Sequence, residues 1–433
     1  MNSDTSAATR ARPIVVSKFG GSSLASPEHI RAIAARIADD RGDGAGRVVV
    51  VSAMGDTTDE LLDLASRVSR RPEPRELDLL LATGEHISAA LLVMALHEHD
   101  LEAVSLTGPQ AGIRTDGLYG RARITAVHAE RVRQELAADR VVVVAGFQGS
   151  SGDEVATLGR GGSDTSAVAL AIALGARRCE IYTDVDGVYS ADPRLVPDAR
   201  QLPEIGFEEM LEMAHQGAKV LQTRSVELAW VHGLELVVRH AAGSGPGTTI
   251  KEVTMEARQK VRGIATDDGM AKVTLLDLPD RPGMAGSIFA PLAEAGIAVD
   301  GIIQNVGHDG AADLSFIVPE ADLDRAADLL RGQLPALGAR DLAVSGGLAK
   351  VSIVGAGIHN APAYPARMFA ALGEAGVNIE MISTSEIRIT CVIDRRHLET
   401  AARALHKAFE LEEARWRGRP WQNGRRRPRI GRR

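Results

Sequence analysis

The sequence predicts an α/β protein in which a mainly parallel β-sheet, covered by helices on both faces, is followed by a smaller duplicated unit. Two observations predict it. Short apolar runs alternate with helical patterns from residue 12 to about residue 240, and this alternation is typical of a parallel sheet. The runs lie at residues 14–16, 48–51, 141–145, 180–182 and 234–238. Beyond residue 264 a different pattern occurs twice, which indicates an internal repeat.

Composition limits the classes of function. The 433 residues, 45% of them hydrophobic, suffice for two or three domains with buried cores. A net charge of −7 gives no general attraction to nucleic acid, and the apolar runs are too short to cross a bilayer. Residues 1–13 lack the apolar core of a secretory signal, so we expect a cytoplasmic protein without nucleic-acid or membrane partners. The two cysteines, Cys179 and Cys391, lie in no metal-binding or disulfide pattern.

The first apolar run leads into residues 17–23, which read SKFGGSS. Ser26 and Pro27 then form an N-cap signal before apolar residues at helical spacing, which predicts a helix just after the loop. Glycines let backbone N–H groups approach an anion, and Lys18 adds a full positive charge. The loop is therefore suited to phosphate, although a plain glycine-rich turn fits the same residues.

A second glycine-rich turn, residues 157–165, precedes a helical pattern at residues 167–174. It contains Arg160, whose planar guanidinium suits a carboxylate, and Asp164, an acid that can fix a neighbouring lysine. A third segment, residues 182–194, collects turn residues and acids after a strand. On spacing alone, its acids fit metal ligands and a plain turn equally well. The P-loop and GxGxxG patterns do not occur, which disfavours those two modes of nucleotide binding.

The C-terminal half contains the repeat, after a turn-rich boundary at residues 241–247. Each copy has an AKV strand, a helix that ends in Ala-Gly and a short run that ends in an acid. The strands lie at residues 271–276 and 349–354, and the short runs lie at residues 297–300 and 377–380. Such a duplication indicates a paired regulatory module.

Seven segments resemble those of the aspartate kinase family within the amino acid kinase superfamily. They read KFGGSS, VVVVSAMGDTTDELL, TGE, VVAGFQG, TLGRGGSDTSAVALA, IYTDVDGVYSADPR and GAKVL. The two C-terminal repeats resemble the family's paired ACT domains, so the resemblance runs from about residue 15 to residue 409. Carbamate, acetylglutamate, glutamate 5-phosphate and uridylate kinases share the superfamily fold. Residues 52–55, residues 83–85 and the tandem ACT units favour aspartate among these substrates.

The resemblance implies a three-layer α/β/α amino acid kinase sandwich followed by two ferredoxin-like βαββαβ ACT domains. The implied boundaries are 12–240 for the catalytic domain, 241–264 for a linker, and 265–346 and 347–413 for the ACT domains. Residues 414–433 contain nine arginines and no apolar periodicity, so we expect a disordered, solvated tail rather than a nucleic-acid-binding one.

The resemblance also implies the activity, ATP-dependent phosphorylation of the β-carboxylate of L-aspartate, and the residues of the site. The implied catalytic residues are Lys18, Asp164 and Lys219. The implied ATP-binding residues are Lys18, Phe19, Gly20, Gly21, Ser22, Thr183, Asp184, Tyr189, Arg194, Lys219 and Val220. The implied aspartate-binding residues are Ser52, Thr57, Glu85, Arg160, Gly161, Gly162 and Ser163. Arg160 would hold a substrate carboxylate and Glu85 the ammonium group, while Mg²⁺ would be held by phosphates and water without a protein ligand.

Regulation follows from the same resemblance, because ACT-bearing relatives bind lysine or threonine as effectors. The implied effector residues are Asp280, Gly283, Ala298, Val299, Asp300, Gln304, Asn378, Ile379, Thr384, Ser385 and Glu386. Residues 307–308 and 311–312 stand where relatives commonly carry hydroxyl groups, and Ala361 and Ala363 replace a usual HPG. Each lost neutral hydrogen bond is worth about 0.5 to 1.5 kcal/mol, so we expect weakened or altered feedback.

Some relatives also produce the ACT half alone from an internal start, and Met255 lies at a suitable position. We expect a homo-oligomer, or an assembly with such an ACT-only subunit, because ACT units pair between chains.

Two other functions stay open. One is an amino-acid sensor with an inactive kinase half, which the retained Lys18, Asp164, Asp184 and Lys219 disfavour. The other is a glutamate-directed kinase of the same fold, which the tandem ACT units disfavour.

Overall fold

The structure is a computed structural model. It describes residues 12–40, 44–218, 220–253, 261–306, 311–358 and 362–412. Several features predicted above lie outside these residues, namely Lys219, Met255, Gly307, His308, Ala361 and the tail at 414–433. Residues 12–253 form an N-terminal domain, and residues 261–412 form a C-terminal region built on one sheet.

The N-terminal domain alternates strands and helices. Its strands are β1 Ile14–Phe19, β2 Gly46–Val51, β3 Ala103–Leu106, β4 Ile113–Thr115, β5 Ile124–Val127, β6 Val141–Ala145, β7 Gln148–Ser151, β8 Glu154–Thr157, β9 Arg178–Thr183, β10 Glu204–Gly206, β11 Leu236–His240 and β12 Thr248–Lys251. Its helices are α1 Pro27–Asp39, α2 Thr57–Val68, α3 Pro74–His97, α4 Glu130–Ala137, α5 Gly162–Leu174, α6 Phe207–His215 and α7 Thr223–Val231.

The core of this domain is an eight-stranded sheet in the order β10-β12-β11-β9-β1-β2-β6-β3. Every pairing in it is parallel except that of β11 with β12. The valines of β2 and β6 are buried on both faces, as expected for a covered parallel sheet. Helices α1 and α3 pack on one face, and α4, α5 and α7 pack on the other. The predicted three-layer sandwich is therefore confirmed.

Helix α1 begins as predicted, but not directly after the glycine loop. Ser26 is its N-cap, and the Oγ of Ser26 accepts a hydrogen bond from the His29 backbone N–H at 3.4 Å. A 3₁₀ turn, Ser22–Leu24, lies between the loop and this cap. The N–H groups of Ser23 and Leu24 donate to carbonyls of the loop and close the turn. This turn therefore separates the glycine loop from the N-terminus of α1.

The C-terminal region contains both repeats. Its strands are β13 Gly263–Pro279, β14 Asp300–Val306, β15 Ala311–Pro319, β16 Asp341–Val354, β17 Met381–Thr384 and β18 Arg388–Asp394. Its helices are α8 Met284–Glu294, α9 Leu323–Arg331, α10 Leu334–Leu337, α11 Ala363–Glu374 and α12 Leu398–Ala408. The strands form one sheet in the order β14-β15-β13-β16-β18-β17.

The two ferredoxin-like units share their central strands, which differs from the predicted boundary at residues 346 and 347. β13 and β16 are long antiparallel strands, and each contributes one half to each unit. The second unit takes its fourth strand from residues 263–268, which pair with residues 349–354. That unit is therefore discontinuous in sequence, because its fourth strand precedes the first unit.

Other predicted boundaries also shift. The strand predicted at 234–238 is β11 at Leu236–His240, and the predicted linker 241–264 contains β12 and the start of β13. β12 belongs to the N-terminal sheet because it pairs with β10 and β11. Residues 297–299 and 377–380 of the two short runs are irregular connections, and the following strands begin at Asp300 and Met381.

Reciprocal ion pairs connect the two repeats. Lys272 of the first AKV strand lies 2.7 Å from Glu380, the acid of the second repeat. Lys350 of the second AKV strand lies 3.1 Å from Asp300, the acid of the first. The lysine of each repeat therefore pairs with the acid of the other repeat, and these two ion pairs connect the units.

Helix α6 joins the N-terminal domain to the C-terminal sheet through polar contacts. Glu212 pairs with Arg388 at 2.9 Å, and the Oγ of Ser352 donates to the Oε1 of Gln216 at 3.1 Å. Gly217 follows α6 with a φ of 104°, and a Cβ there would lie 2.2 Å from the carbonyl oxygen of Thr266 in β13. The close approach of the two domains thus requires glycine at residue 217.

By length and composition alone, one helix among the described residues, α3, is long and apolar enough to cross a membrane. In this structure α3 packs against the sheet and α1, and it buries the acids Asp78 and Glu85.

Candidate active site

The predicted site residues lie mainly at one edge of the parallel sheet. Many of them lie in or just after β1, β2 and β9, and the carboxyl ends of parallel strands meet at the same edge. Arg160, Gly161, Gly162, Ser163 and Asp164 lie between β8 and the first turn of α5. The N–H of Gly20 donates to the carbonyl of Tyr182 at 3.3 Å, and the N–H of Ser52 donates to the carbonyl of Phe19 at 3.1 Å. The glycine loop is therefore bonded to both of its neighbours.

Lys18 and Asp164 form an ion pair at the centre of this edge. The Nζ of Lys18 lies 2.6 Å from the Oδ1 of Asp164, and their side chains are 12% and 9% exposed. Lys18 belongs to β1, between β2 and β9, while Asp164 lies in the first turn of α5. The structure thus brings together two residues that are far apart in sequence, and it fixes a partly buried cation.

The glycines of the loop allow close approach. A Cβ on Gly20 would lie 3.4 Å from the Nζ of Lys18. A Cβ on Gly21 would lie 3.0 Å from the carbonyl oxygens of both Ala53 and Gly55. Any larger side chain would crowd the space between the lysine and the loop after β2, while Ser22 is exposed beside it.

Helix α3 brings Glu85 to the loop after β2. The N–H of Ala53 donates to the Oε1 of Glu85 at 3.0 Å. A Cβ on Gly84 would lie 2.8 Å from the Cβ of Ala53 and 3.6 Å from the Cγ2 of Thr57, so the helix and the loop are in close contact. Thr57 is the first residue of α2, and the side chain of the N-cap residue, Asp56, makes no cap hydrogen bond. Glu85 and the start of α2 at Thr57 therefore both lie beside the loop after β2, which begins with Ser52.

Glu85 is a buried acid with an unused oxygen. It is 3% exposed, and its Oε2 has no hydrogen-bond partner among the described residues. Burial raises the pKa of Glu85 to about 7, an effect that the hydrogen bond from Ala53 only partly opposes. The group is thus poised to ionise when a cation, such as an ammonium group, comes next to it.

Arg160 lies in the turn between β8 and α5. Gly159 and Gly161 on either side have φ values of 75° and 71°, and a Cβ on Gly161 would overlap the side chain of Gln222. The side chain of Arg160 is exposed and makes no ion pair within the part of the chain that the structure describes. Gly162, Ser163 and Asp164 then start α5, so Arg160 lies one turn before the partner of Lys18.

The segment after β9 extends from the Lys18 loop toward the C-terminal region. The Oγ1 of Thr183 donates to the Oδ1 of Asp184 at 3.0 Å. Tyr189 is half-buried, and its backbone forms an isolated antiparallel β-bridge with Gln201. Arg194 is exposed and paired with Asp192 at 2.7 Å, so in this structure its guanidinium is held by a neighbouring acid. Asp192 engages the Nε and Nη2 of Arg194, so a phosphate can be contacted through Nη1 without displacing that acid.

The described residues contain no group of three or more His, Cys, Asp or Glu side chains that could hold a metal ion. Lys219 lies outside the described residues, while Val220 packs against the core of the N-terminal domain.

Family models match three parts of the chain. The amino acid kinase family model matches residues 13–240, and ACT domain models match residues 272–332 and 351–409. The aspartate kinase of Stutzerimonas stutzeri is 48% identical over 403 residues, which cover 92% of this chain and 98% of that protein. The chain belongs to the aspartokinase family. As an aspartate kinase, it is a phosphotransferase with a carboxyl group as acceptor.

Further relatives agree with this membership. The aspartokinase of Thermus thermophilus is 49% identical over 404 residues, which cover 93% of this chain and 100% of that protein. The structure of Escherichia coli aspartokinase III in complex with aspartate and ADP aligns with a TM-score of 0.76 at 28% identity, covering 92% of this chain and 100% of that one. The structure of Synechocystis aspartate kinase aligns with a TM-score of 0.52 at 45% identity, and the alignment covers 92% of this chain and 69% of that one.

The residues predicted for the effector of this aspartokinase lie in both ACT units. Asp280 and Gly283 precede α8, and residues 298–304 and 378–386 follow the helices α8 and α11. The two later segments approach each other, since a Cβ on Gly301 would lie 3.7 Å from the Cε of Met381. Asp300 is already engaged by Lys350, so an effector that uses this acid must share it with the lysine.

Sequence reasoning missed several residues that shape the aspartokinase site. Phe147, after β6, has a φ of 67°, and Gly146 beside it lets β6 approach the start of α5. The Oε1 of Gln148 accepts a hydrogen bond from the Nε2 of His86 (2.8 Å), and the Nε2 of Gln148 donates to the carbonyl of Ala82 (3.1 Å), which ties this loop to α3. In the sequence, Gly146 of the GFQG motif was the available signal for these contacts.

Proposed function

We propose that this aspartokinase transfers the γ-phosphoryl group of ATP to the β-carboxylate of L-aspartate between Lys18 and Arg160, giving 4-phospho-L-aspartate. The observation that carries the proposal is the unpartnered Oε2 of Glu85, a buried oxygen near a loop that also contacts the Lys18 segment. Such an oxygen suits the ammonium group of an amino acid. The exposed guanidinium of Arg160 suits its carboxylate.

The chemistry needs positioning more than proton transfer. The side chain of free aspartate, with a reference pKa of about 3.9, is ionised at neutral pH and needs no general base. Lys18, oriented by Asp164, would neutralise charge on the transferring phosphoryl oxygens, and Lys219 would supply a second cation. Thr183, Asp184, Tyr189 and Arg194 would contact the adenosine and phosphate groups of ATP. Ser52 and Thr57 would line the aspartate pocket.

Mg²⁺ fits this site as an ion held by phosphate oxygens and water, where it would neutralise phosphate charge. Asp164 is engaged by Lys18, and Asp184 is an exposed carboxylate at the end of β9. Asp184 would therefore accept hydrogen bonds from water ligands of the ion.

Replacing Glu85 with glutamine tests its assignment. We expect the KM for aspartate to rise at least about tenfold while the KM for ATP changes little, because a charge-assisted hydrogen bond to the ammonium group is lost. In the normal protein, the KM for aspartate should also rise as the pH falls below the pKa of about 7.

The same substitution has a predicted effect on stability without substrate. The folded pKa of Glu85 lies above its unfolded value of 4.5, so its contribution favours folding at low pH and is lost as the pH rises through about 7. The loss is about 3 kcal/mol, since each pKa unit between the folded and unfolded values is worth about 1.4 kcal/mol. Glu85→Gln should remove this part of the pH dependence in denaturant unfolding at pH 5 and pH 8. An unchanged pH dependence together with an unchanged KM would contradict the assignment.

Regulation by an amino-acid effector forms the second part of the proposal. Another solved structure of E. coli aspartokinase III is a T-state complex with lysine and aspartate, and that chain aligns with a TM-score of 0.75 at 27% identity. Here Ala311, Ala312 and Ala363 offer no side-chain hydrogen bonds to an effector. We therefore infer inhibition by lysine or threonine that is weaker than in relatives, in an enzyme for the first step toward lysine, threonine and methionine.

ATP-dependent hydroxamate formation with hydroxylamine tests this function directly. We expect turnover with aspartate, little with glutamate, and only weak inhibition by lysine plus threonine. Equal turnover with glutamate would favour a glutamate-directed kinase, and no turnover with either would favour an inactive sensor. Strong inhibition at sub-millimolar effector would contradict weakened feedback while leaving the activity in place. A homo-oligomer, or assembly with an ACT-only product of Met255, stays a prediction.

A further inference from the structure

A buried carboxylate outside the residues assigned above lies on α3. Asp78 is 1% exposed, and two other segments donate hydrogen bonds to it. The N–H of Gly120 lies 3.0 and 2.9 Å from its two oxygens, and the N–H and Oγ1 of Thr157 donate at 2.7 and 2.8 Å. A buried acid with this many donors is held in one position. Asp78 therefore attaches α3 to the end of β8, three residues before Arg160.

The turn that carries Arg160 is also fixed by a second contact. Arg224 of α7 donates a hydrogen bond to the carbonyl of Leu158 at 2.9 Å. Gly159 passes so close to Gly120 that a Cβ on it would lie 3.0 Å from the Gly120 carbonyl oxygen. The backbone before Arg160 is therefore held in place, while the Arg160 side chain stays exposed.

The same helix carries Glu85. Asp78 and Glu85 are seven residues apart, about two helical turns or roughly 10 Å along the axis, which places them on the same face of α3. Both side chains are buried within the uninterrupted helix Pro74–His97. One rigid element thus connects the carboxylate that faces the ammonium group to the acid that anchors the Arg160 turn.

We propose that Asp78 is a positioning residue for aspartate binding, which acts through Thr157 to set the place of Arg160 relative to Glu85. The inference rests on the proposed function, in which Arg160 and Glu85 hold the two charged groups of the amino acid. Asp78 itself is buried beneath the turn and would touch neither substrate. Its loss should therefore weaken aspartate binding and leave nucleotide binding unchanged.

Steady-state kinetics of the full-length protein, with aspartate and ATP varied separately, tests this role. Asp78→Asn keeps the shape of the side chain but puts an amide donor where N–H groups now donate. We expect it to raise the KM for aspartate at least about tenfold, with the KM for ATP within about twofold of normal. Thr157→Val removes only the Oγ1 donor and should raise the KM for aspartate about threefold.

Glu135→Gln is the matched control, because Glu135 of α4 is also a buried helical acid; it pairs with Arg131 of the same helix and with Arg140, which follows it. It should lower thermal stability and leave both KM values unchanged. If Asp78→Asn and Thr157→Val likewise change only thermal stability, or raise both KM values equally, the positioning role is wrong.

Arg160→Ala separates this inference from the proposed function. If that variant binds aspartate normally, the proposed function of Arg160 fails and the positioning role fails with it. If Arg160→Ala raises the KM for aspartate and Asp78→Asn does not, only the positioning role fails.

Discussion

Lys18→Met is expected to reduce kcat about 1,000-fold, the scale found when a preorganised charge at a transferring group is removed. Methionine has a similar length and fills the same space, so the change is mainly the loss of a cation. That cation is partly buried, lies 2.6 Å from Asp164 and borders the glycine loop at Gly20. Because the charge acts on the transferring phosphoryl group, the KM for aspartate should change much less than kcat. Hydroxamate formation at saturating substrates measures the effect.

A second variant separates catalysis from folding. Lys18→Met leaves Asp164 as a nearly buried carboxylate without its partner, which is destabilising by about 3 to 5 kcal/mol in fully buried pairs. Lys18→Met combined with Asp164→Asn removes both charges and should recover much of that stability without recovering activity. A kcat within tenfold of normal in a folded Lys18 variant would show that this lysine does not stabilise the transition state.

Gly217→Ala is expected to have the second largest effect, since its methyl group would push the N-terminal domain away from the backbone of β13. The new Cβ would lie 2.2 Å from the carbonyl oxygen of Thr266, a backbone atom in the middle of the shared ACT sheet. We expect at least about 2 kcal/mol of destabilisation from this clash and the positive φ. Residue 217 lies two positions before Lys219, so kcat should also fall at least about tenfold if that lysine contacts ATP. Thermal unfolding and initial rates measure the two effects.

Gly233→Ala is the control for this prediction. Gly233 also has a positive φ, 63°, but no atom lies within 4 Å of the position that the new methyl group would take, so the substitution adds strain without a clash. It should lower stability slightly and leave kcat unchanged. Equal behaviour of the two variants would mean that the contact of Gly217 with β13 has no special importance.

Local patterns predicted the central layer of the fold because local physics determines it. The valine runs of β2 and β6 are buried on both faces, and the Ser26-Pro27 signal starts α1. β12 was missed because its four residues owe their place to pairing with strands distant in sequence. The sharing of β13 and β16 was missed for a related reason: a duplicated pattern indicates two units but not which strand completes each.

In the candidate site, too, local sequence signals were predicted and contacts between distant residues were missed. Lys18, Arg160 and Asp164 were predicted because glycine-rich turns with charges are local signals, and the structure pairs Lys18 with Asp164. Asp78 was missed because its donors, Gly120 and Thr157, lie 42 and 79 residues away, and an acid in a helical pattern usually faces solvent. Its spacing of seven residues from Glu85 was the available signal, since it places both acids on one helical face.

A crystal structure of the protein with aspartate and a non-hydrolysable ATP analogue tests the central claim most directly. We expect the aspartate ammonium group at the Oε2 of Glu85, one aspartate carboxylate at Arg160, and the terminal phosphate at Lys18 with the other carboxylate facing it. Aspartate bound away from Glu85 and Arg160, or a terminal phosphate out of reach of Lys18, would contradict the claim.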